Sequence, residues 1–378
     1  LAALPGQSLT YTGSLRSITG TATSATVGSN YAVALYSVDQ WNNQTSDSST
    51  QVSLTSGSDT YASAPSNATM SSGTVSVNFN HRKAGSGFTL TTTNTGSFTN
   101  SSTSTYVANP GSAYRILALA PGETIANPGS STRAAAVTGS ASTQTAGTNF
   151  TLNVYVADQY FNTISSSSHD STSVSVSMDG DTTATAPSAL NFTNGAVAFT
   201  AVRNKTSGSG MSLTATSTGF TVNSDTTGSY TVNSAAASQL IVVLPGESYR
   251  PGQVTLGAAV TGAATSRTAG SSFTVTVRAV DPYFNTVSSY ATGITLTSTD
   301  PQFSGGSSVV PSSGVATFTV TSNTSSGSGA PAAWRITPTS GSLAANDSNP
   351  YSVQAASTSK ILAALPGQSL TYTGSLRS

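Results

Sequence analysis

The sequence contains no cysteine, which excludes disulfides, thiolate metal sites and cysteine nucleophiles. Charge of either sign is also scarce. Thirteen basic and 13 acidic side chains make up 7% of the 378 residues, against about a quarter in an ordinary soluble protein. The net charge is zero and no Lys/Arg cluster occurs, which argues against nucleic acid and anionic membranes as partners. No apolar run approaches the roughly 18 residues that a membrane-spanning helix needs, so no membrane insertion is expected. Strong helix formers are few: the glutamates are Glu123 and Glu247, and the lysines are Lys83, Lys205 and Lys360. A starting Met and a signal peptide are both missing before Leu1, as expected of a processed product or a fragment.

Ser and Thr fill about a third of the chain, and 36% of residues are hydrophobic. The apolar residues alternate with Thr, Ser and Asn over short runs, which is the period of half-buried strands rather than of a flexible linker. Thr, Val, Tyr and Phe dominate those runs, as a pleated surface favours. The expected fold class is all-β.

The chain repeats itself. Apolar runs end in Pro-Gly at Pro5, Pro121, Pro245 and Pro366, spaced 116, 124 and 121 residues apart. A second signature follows each of the first three: Asn30 to Asn43, Asn149 to Asn162 and Ser272 to Asn285. These repeats divide the chain into modules at 1–112, 113–236 and 237–356, with 357–378 as the first strand of a further module. Residues 362–378 are identical, letter for letter, to residues 1–17. Drift would not leave 17 identical residues beside such diverged neighbours, so a native 361-residue repeat of three modules is expected. A designed overlap is the alternative.

Inside each module about seven strands are expected, packed as a two-sheet sandwich. The first, proline-limited strand suits an edge position. The core face is set by Tyr31, Val33 and Leu35 and by the matching Phe150, Leu152, Val154 and Phe273, Val275, Val277. A later strand points Val75/Val77/Phe79, Val197/Phe199/Ala201 or Ala316/Phe318/Val320 inward. Gly-Ser-Gly at 85–87, 208–210 and 327–329 reads as a turn. Seen together, the motifs Leu240–Glu247, Thr268–Gly270 and Phe273–Thr286 resemble the bacterial Ig-like repeats of large surface proteins, in the broad invasin/intimin-like group. Module 1 departs from the pattern at Val27-Gly28 and Trp41-Asn42-Asn43. The resemblance implies tandem Ig-like β-sandwiches arranged as a rod. It implies no particular ligand, because such modules serve as spacers, adhesin tips and filament subunits alike.

Enzymatic machinery is not evident. No nucleophile elbow, zinc-protease helix motif or phosphate loop occurs. His81 and His169 read as solvated loop residues, and no catalytic residue and no cofactor are expected. The recurring element is Asp39/Asn43, Asp158/Asn162 and Asp281/Asn285. It fits an Asx-type turn that holds its own loop. A calcium site at Asp39, Asp158 and Asp281 is the weaker reading, because such a site wants several carboxylates. The aromatics of the same loop are Trp41, Tyr160/Phe161 and Tyr283/Phe284. They read as a module–module contact or a cap on the sandwich, with sugar stacking as an alternative. Glycans remain possible, with sequons at Asn43, Asn67, Asn100, Asn149, Asn191, Asn204, Asn323 and Asn346.

The leading expectation is a structural, non-catalytic repeat of a secreted or cell-surface fibre, sheath or stalk, with other copies of the repeat as its partners. The alternatives are the spacer stalk of an adhesin and a carbohydrate-binding accessory module.

Overall fold

A computed structural model describes all residues except 13–14, 219–221, 327–332, 369–371, 374–375 and 378. Described helix is confined to two four-residue turns, Arg133–Ala136 and Leu256–Ala259, and a 3-10 turn at Ser167–His169. The remaining regular structure is β.

Module 1 shows the architecture. Its strands are β1 (Ala2–Ala3), β2 (Gln7–Thr12), β3 (Leu15–Gly20), β4 (Ala25–Thr26), β5 (Asn30–Tyr36), β6 (Gln51–Thr55), β7 (Ala68–Thr69), β8 (Thr74–Asn80), β9 (Gly85–Phe88), β10 (Thr91–Asn94) and β11 (Tyr106–Asn109). One sheet runs β1-β5-β8, antiparallel throughout. Facing it, β4 pairs β11 in parallel, β11 pairs β9, and the continuation β10 pairs β6. The break between β9 and β10 is absent in module 2, where one strand, Gly208–Ser217, spans both parts. With β1, β5 and β8 in one sheet, β4, β11, β9, β10, β6 and β7 facing it, and β2 and β3 paired as a separate hairpin, the module is an Ig-like β-sandwich.

The register follows from the side chains. Tyr31 pairs Phe79, Val33 pairs Val77 and Leu35 pairs Val75 across β5 and β8. Buried residues form three large clusters, drawn from 2–108, 116–232 and 240–353, with no member in common. Alternate positions such as Asn153 and Thr274 are exposed, while Thr151 and Thr276 are half-buried.

Three expectations need correction. In module 2, Ala201 does not face the core. A bulge pairs Phe150 with Val202 and Leu152 with Phe199, so Thr200 and Ala201 both face solvent and Val202 turns in. The Gly-Ser-Gly elements at 85–87 and 208–210 are not turns. They open strands, with Gly87 and Gly210 at φ 74° and 75°, at register shifts opposite Tyr106/Ala108 and Tyr230/Val232. Glycine is needed there because left-handed backbone lets the strand absorb an extra residue. The third copy, 327–329, lies outside the described residues. Finally, the first strand is a sheet edge in module 1 but not in module 3, where Gln239–Val243 also pairs Ala344–Ala345 in parallel.

The Pro-Gly run ends its strand in a turn that closes on itself. Gln7 Oε1 accepts from the N–H of Leu4, and Glu123 and Glu247 do the same for Ala120 and Leu244. Residues 362–368 form this turn again, with Gln368 Oε1 accepting from the N–H of Leu365. Beyond it, Tyr372 pairs Arg377 as Tyr11 pairs Arg16. Local sequence therefore sets the turn and hairpin without a sandwich beneath them. Ile361, Leu362 and Leu365 are exposed, whereas Ala2, Ala3 and Leu4 are buried.

Candidate module junctions

The Asp-to-Asn loop begins as a local device. Asp39 Oδ1 accepts from the N–H groups of Trp41 and Asn43 at 2.9 and 2.8 Å. Asp158 does the same for Tyr160 and Asn162, at 2.8 and 3.1 Å. Asp281 accepts from Tyr283 and Asn285 at 2.8 and 2.9 Å. One residue of each loop is left-handed: Asn42, Phe161 and Phe284, at φ 63°, 62° and 58°. The aromatic pair then divides. Phe161 and Phe284 are buried within their own module, against Val137 and Ala136 and against Val260 and Ala259. Tyr160, Tyr283 and Trp41 point away from that core.

The second carboxylate oxygen and the Asn side chain reach out of the module. Asp158 Oδ2 accepts from the N–H of Gly111, in the segment joining modules 1 and 2, at 2.9 Å. Asn162 donates to the carbonyl of Arg82 and accepts from the N–H of Ala84, both at 2.8 Å. One amide side chain thus satisfies a backbone donor and acceptor on the preceding module. The next junction repeats this. Asp281 Oδ2 accepts from Ala235 at 3.0 Å, Asn285 donates to the Lys205 carbonyl at 2.7 Å, and Ser207 donates to Asn285 Oδ1 at 2.9 Å. Asp158, Asn162, Asp281 and Asn285 are 2% exposed or less, although the chain has little charge to bury.

Glycines complete the fit. A Cβ on Gly28 would lie 2.9 Å from Gln159 Nε2 and 3.7 Å from Tyr160 Cε2, and one on Gly147 would collide with the Tyr283 ring. Each tyrosine of one module therefore lies against a glycine of the one before. Arg82 adds a guanidinium 5.3 Å from the Tyr160 ring centroid. A hairpin after the Pro-Gly turn also reaches back. Gly129 lies against Tyr61 and Lys83, and Gly252 against Thr183 and Thr206.

The loop that receives Asn162 is itself held from beneath, and here His81 departs from its expected place. It is not solvated. It is fully buried, with Nδ1 3.0 Å from Asp59 Oδ2 and Nε2 2.6 Å from the Tyr106 hydroxyl. Asp59 Oδ2 also accepts from the N–H groups of Arg82 and Lys83. Burial pushes the Asp59 carboxyl up, but the His81 and backbone hydrogen bonds outweigh it and hold it below its usual value of 3.8. Burial raises the Tyr106 hydroxyl. Module 2 puts Asn204 in the histidine's place, between Asp181 and Tyr230, and burial pushes that tyrosine up to about 12. In module 3 Ser322 meets the Tyr351 hydroxyl at 2.7 Å, and Asp300 receives the N–H of Thr324. The three residues at one position, His, Asn and Ser, hide the equivalence from a reading of the sequence. The shared Asp and Tyr were its only signal.

In module 1 no other module among the described residues covers the same loop, whose Asn42 side chain donates to the Arg16 carbonyl at 2.8 Å. Asp39, Trp41 and Asn43 are exposed, Trp41 by 50%. The Asn43 side chain, then its N–H, holds the Asp39 carboxyl below the usual carboxylate range. Among the described residues no group of three His, Cys, Asp or Glu side chains is placed to hold a metal ion. Both oxygens of Asp158 and of Asp281 already accept N–H donors, which leaves a poor fit for calcium. His169 is half-buried in its short turn.

No protein-family model and no curated protein matches the sequence. Among solved structures, the Escherichia coli adhesin FdeC aligns over 94% of this chain and 96% of its own, at 14% identity and a TM-score of 0.33. A β-glycosidase from Bacteroides vulgatus aligns at 12% identity and a TM-score of 0.24, over 64% of this chain but a quarter of its own length. The BSP domain of a biofilm-associated protein aligns at 11% identity and a TM-score of 0.18, over 57% of this chain and 29% of its own. Likeness at this level carries no argument about function. No described helix is long and apolar enough to cross a membrane.

Proposed function

We propose that the chain is a structural, non-catalytic stretch of a secreted or cell-surface stalk or fibre, in which Ig-like modules are locked end to end. The single observation that carries this reading is the junction made twice with the same atoms. At both, a buried Asp–Asn pair bonds the preceding module's backbone, and a tyrosine lies on that module's glycine. A protein that only needed separate binding domains would have no use for buried polar groups between them. Such groups are costly unless fully paired, and here they are. Near-absence of surface charge suits copies that lie close together, because it removes mutual repulsion. The spacer stalk of an adhesin uses the same mechanics and fits equally well. Sugar binding is less supported, since Tyr160 and Tyr283 are taken up at junctions and, of the aromatics in the Asp-to-Asn loops, Trp41 alone presents an open ring.

Electron microscopy of native material separates the two leading forms. Ordered filaments with lateral contacts support a fibre or sheath. Isolated rods ending in a distinct tip support an adhesin stalk. Compact particles with no elongated form overturn both. The proposed 361-residue period has its own check. A tryptic digest should release the peptide spanning 361–377 at about one copy per three modules. A peptide beginning at Leu1 in equal amount would contradict the period.

A further inference from the structure

The two junctions inside the chain define a plug and a socket, and one further copy of each has no partner among the described residues. The socket is the Asp39–Asn43 loop of module 1. Asn43 Oδ1 has no partner among the described residues, and the Trp41 ring is half in water. The plug belongs to module 3. Its atoms are found by following the ladder: Gly85, Gly208 and Ser326 pair with the last strand of their modules at Ala108, Val232 and Val353. The residue before each is Ala84, Ser207 and Ser325. The first two donate N–H to Asn162 and Asn285. Ser325 N–H has no partner among the described residues. The carbonyls equivalent to those of Arg82 and Lys205 belong to Asn323. The N–H equivalent to those of Gly111 and Ala235 belongs to Ala356. The glycine that takes the tyrosine ring in modules 1 and 2 has its counterpart in Gly270. Gly28, Gly147 and Gly270 each donate to the matching position, His81, Asn204 and Ser322. A Cβ on Gly270 would meet only Asn323 Oδ1, at 3.8 Å, so nothing covers it.

From these equivalences we infer that the Asp39–Asn43 loop is a docking site for the module 3 end of a second copy of this chain. Asn43 takes the Asn323 carbonyl and the Ser325 N–H, Asp39 takes the Ala356 N–H, and Trp41 lies on Gly270. The inference deepens the stalk reading and rests on it. The argument for a second copy is continuity with an interface the molecule already makes twice. Every donor and acceptor at the plug is backbone, so the differences in side chains between modules do not disturb the match. Module 1 lacks the Pro-Gly hairpin tip of Gly129 and Gly252. The contact therefore rests on the loop alone and should be weak without a covalent tether.

Sedimentation velocity on the whole chain at about 1 mM, near the effective concentration a short tether supplies, tests this. The wild type should form dimers and longer species. Asn43→Ala, or Trp41→Ala in the same exposed loop, should abolish this alone. So should Gly270→Asn, which tolerates left-handed backbone but covers the platform. Ala356→Pro deletes the donated N–H in an exposed segment and serves if Gly270→Asn fails to fold. An equal mixture of a socket variant and a plug variant keeps one good socket and one good plug, and should give dimers and nothing longer. A monomeric wild type overturns the docking while leaving the tethered stalk standing. Variants that associate like the wild type, or a mixture without dimers, also overturn it.

Discussion

Asp59 carries more than its own turn. Its carboxylate gathers two backbone N–H groups of the loop that Asn162 grips, and His81 ties it to Tyr106. Removing the histidine without replacing its hydrogen bonds leaves a buried carboxylate and a buried hydroxyl unpaired. His81→Leu should therefore cost about 2–4 kcal/mol in urea unfolding. His81→Asn imports what module 2 uses at Asn204, and should cost less than half as much. Equal losses would show that the ring's packing, not its hydrogen bonds, matters. The sign with pH follows from the direction of the shifts. Asp59 and Asp181 sit below their usual 3.8 when folded, so their contribution is complete above that value and is lost as pH falls through the lower folded one. Asp225 has the opposite sign. Burial raises its carboxyl despite bonds from Ala118 and Arg133, so it opposes folding near neutral pH and protonation relieves it. Asp39 and Asp47 are lowered too, so four carboxylates stand against one, and the melting midpoint should hold between about pH 5 and 7 and fall below about pH 4. A midpoint that rose on acidification would contradict the assignment. Of all this, the sequence showed the Asp-to-Asn loops. It did not show His81, because a basic neighbourhood of Arg82 and Lys83 reads as a wet turn while the ring points inward.

Strands were legible wherever a side chain repeats every second residue. The face of Tyr31, Val33 and Leu35 is buried as its alternation requires. Bulges were not legible, because an extra residue changes the face without changing composition. Phe199-Thr-Ala-Val202 alternates on paper as Phe199 and Ala201, yet the pairing with Phe150 selects Val202. The two positions can be told apart by substitution. Ala201→Lys should leave stability unchanged within about 0.5 kcal/mol, as at an open surface. Val202→Ala should cost about 1–3 kcal/mol in the same urea titration, for lost burial and the cavity left behind. If the lysine is the more costly, the bulge is misplaced. Gly147 makes a similar point about junctions. In the sequence it is one of 34 glycines. In the structure it is where Tyr283 lies, so a side chain there must push two modules apart.

Across the whole molecule, short connections become stiff because Asn162 and Asn285 bridge module to module. The Asp158 and Asp281 bonds reach only the connecting segments, whereas the Asn bonds reach the preceding sandwich itself. Each sandwich should span about 35–45 Å, from strands of 7–10 residues at about 3.3 Å each plus loops. Three in line give a rod of roughly 105–135 Å. Small-angle scattering compared between the wild type and the Asn162→Ala/Asn285→Ala chain tests this most directly. The wild type should show a single elongated form near that length. The variant should show a broader and shorter distribution, with unchanged circular dichroism. A folded-back wild type, or two indistinguishable profiles, would contradict it.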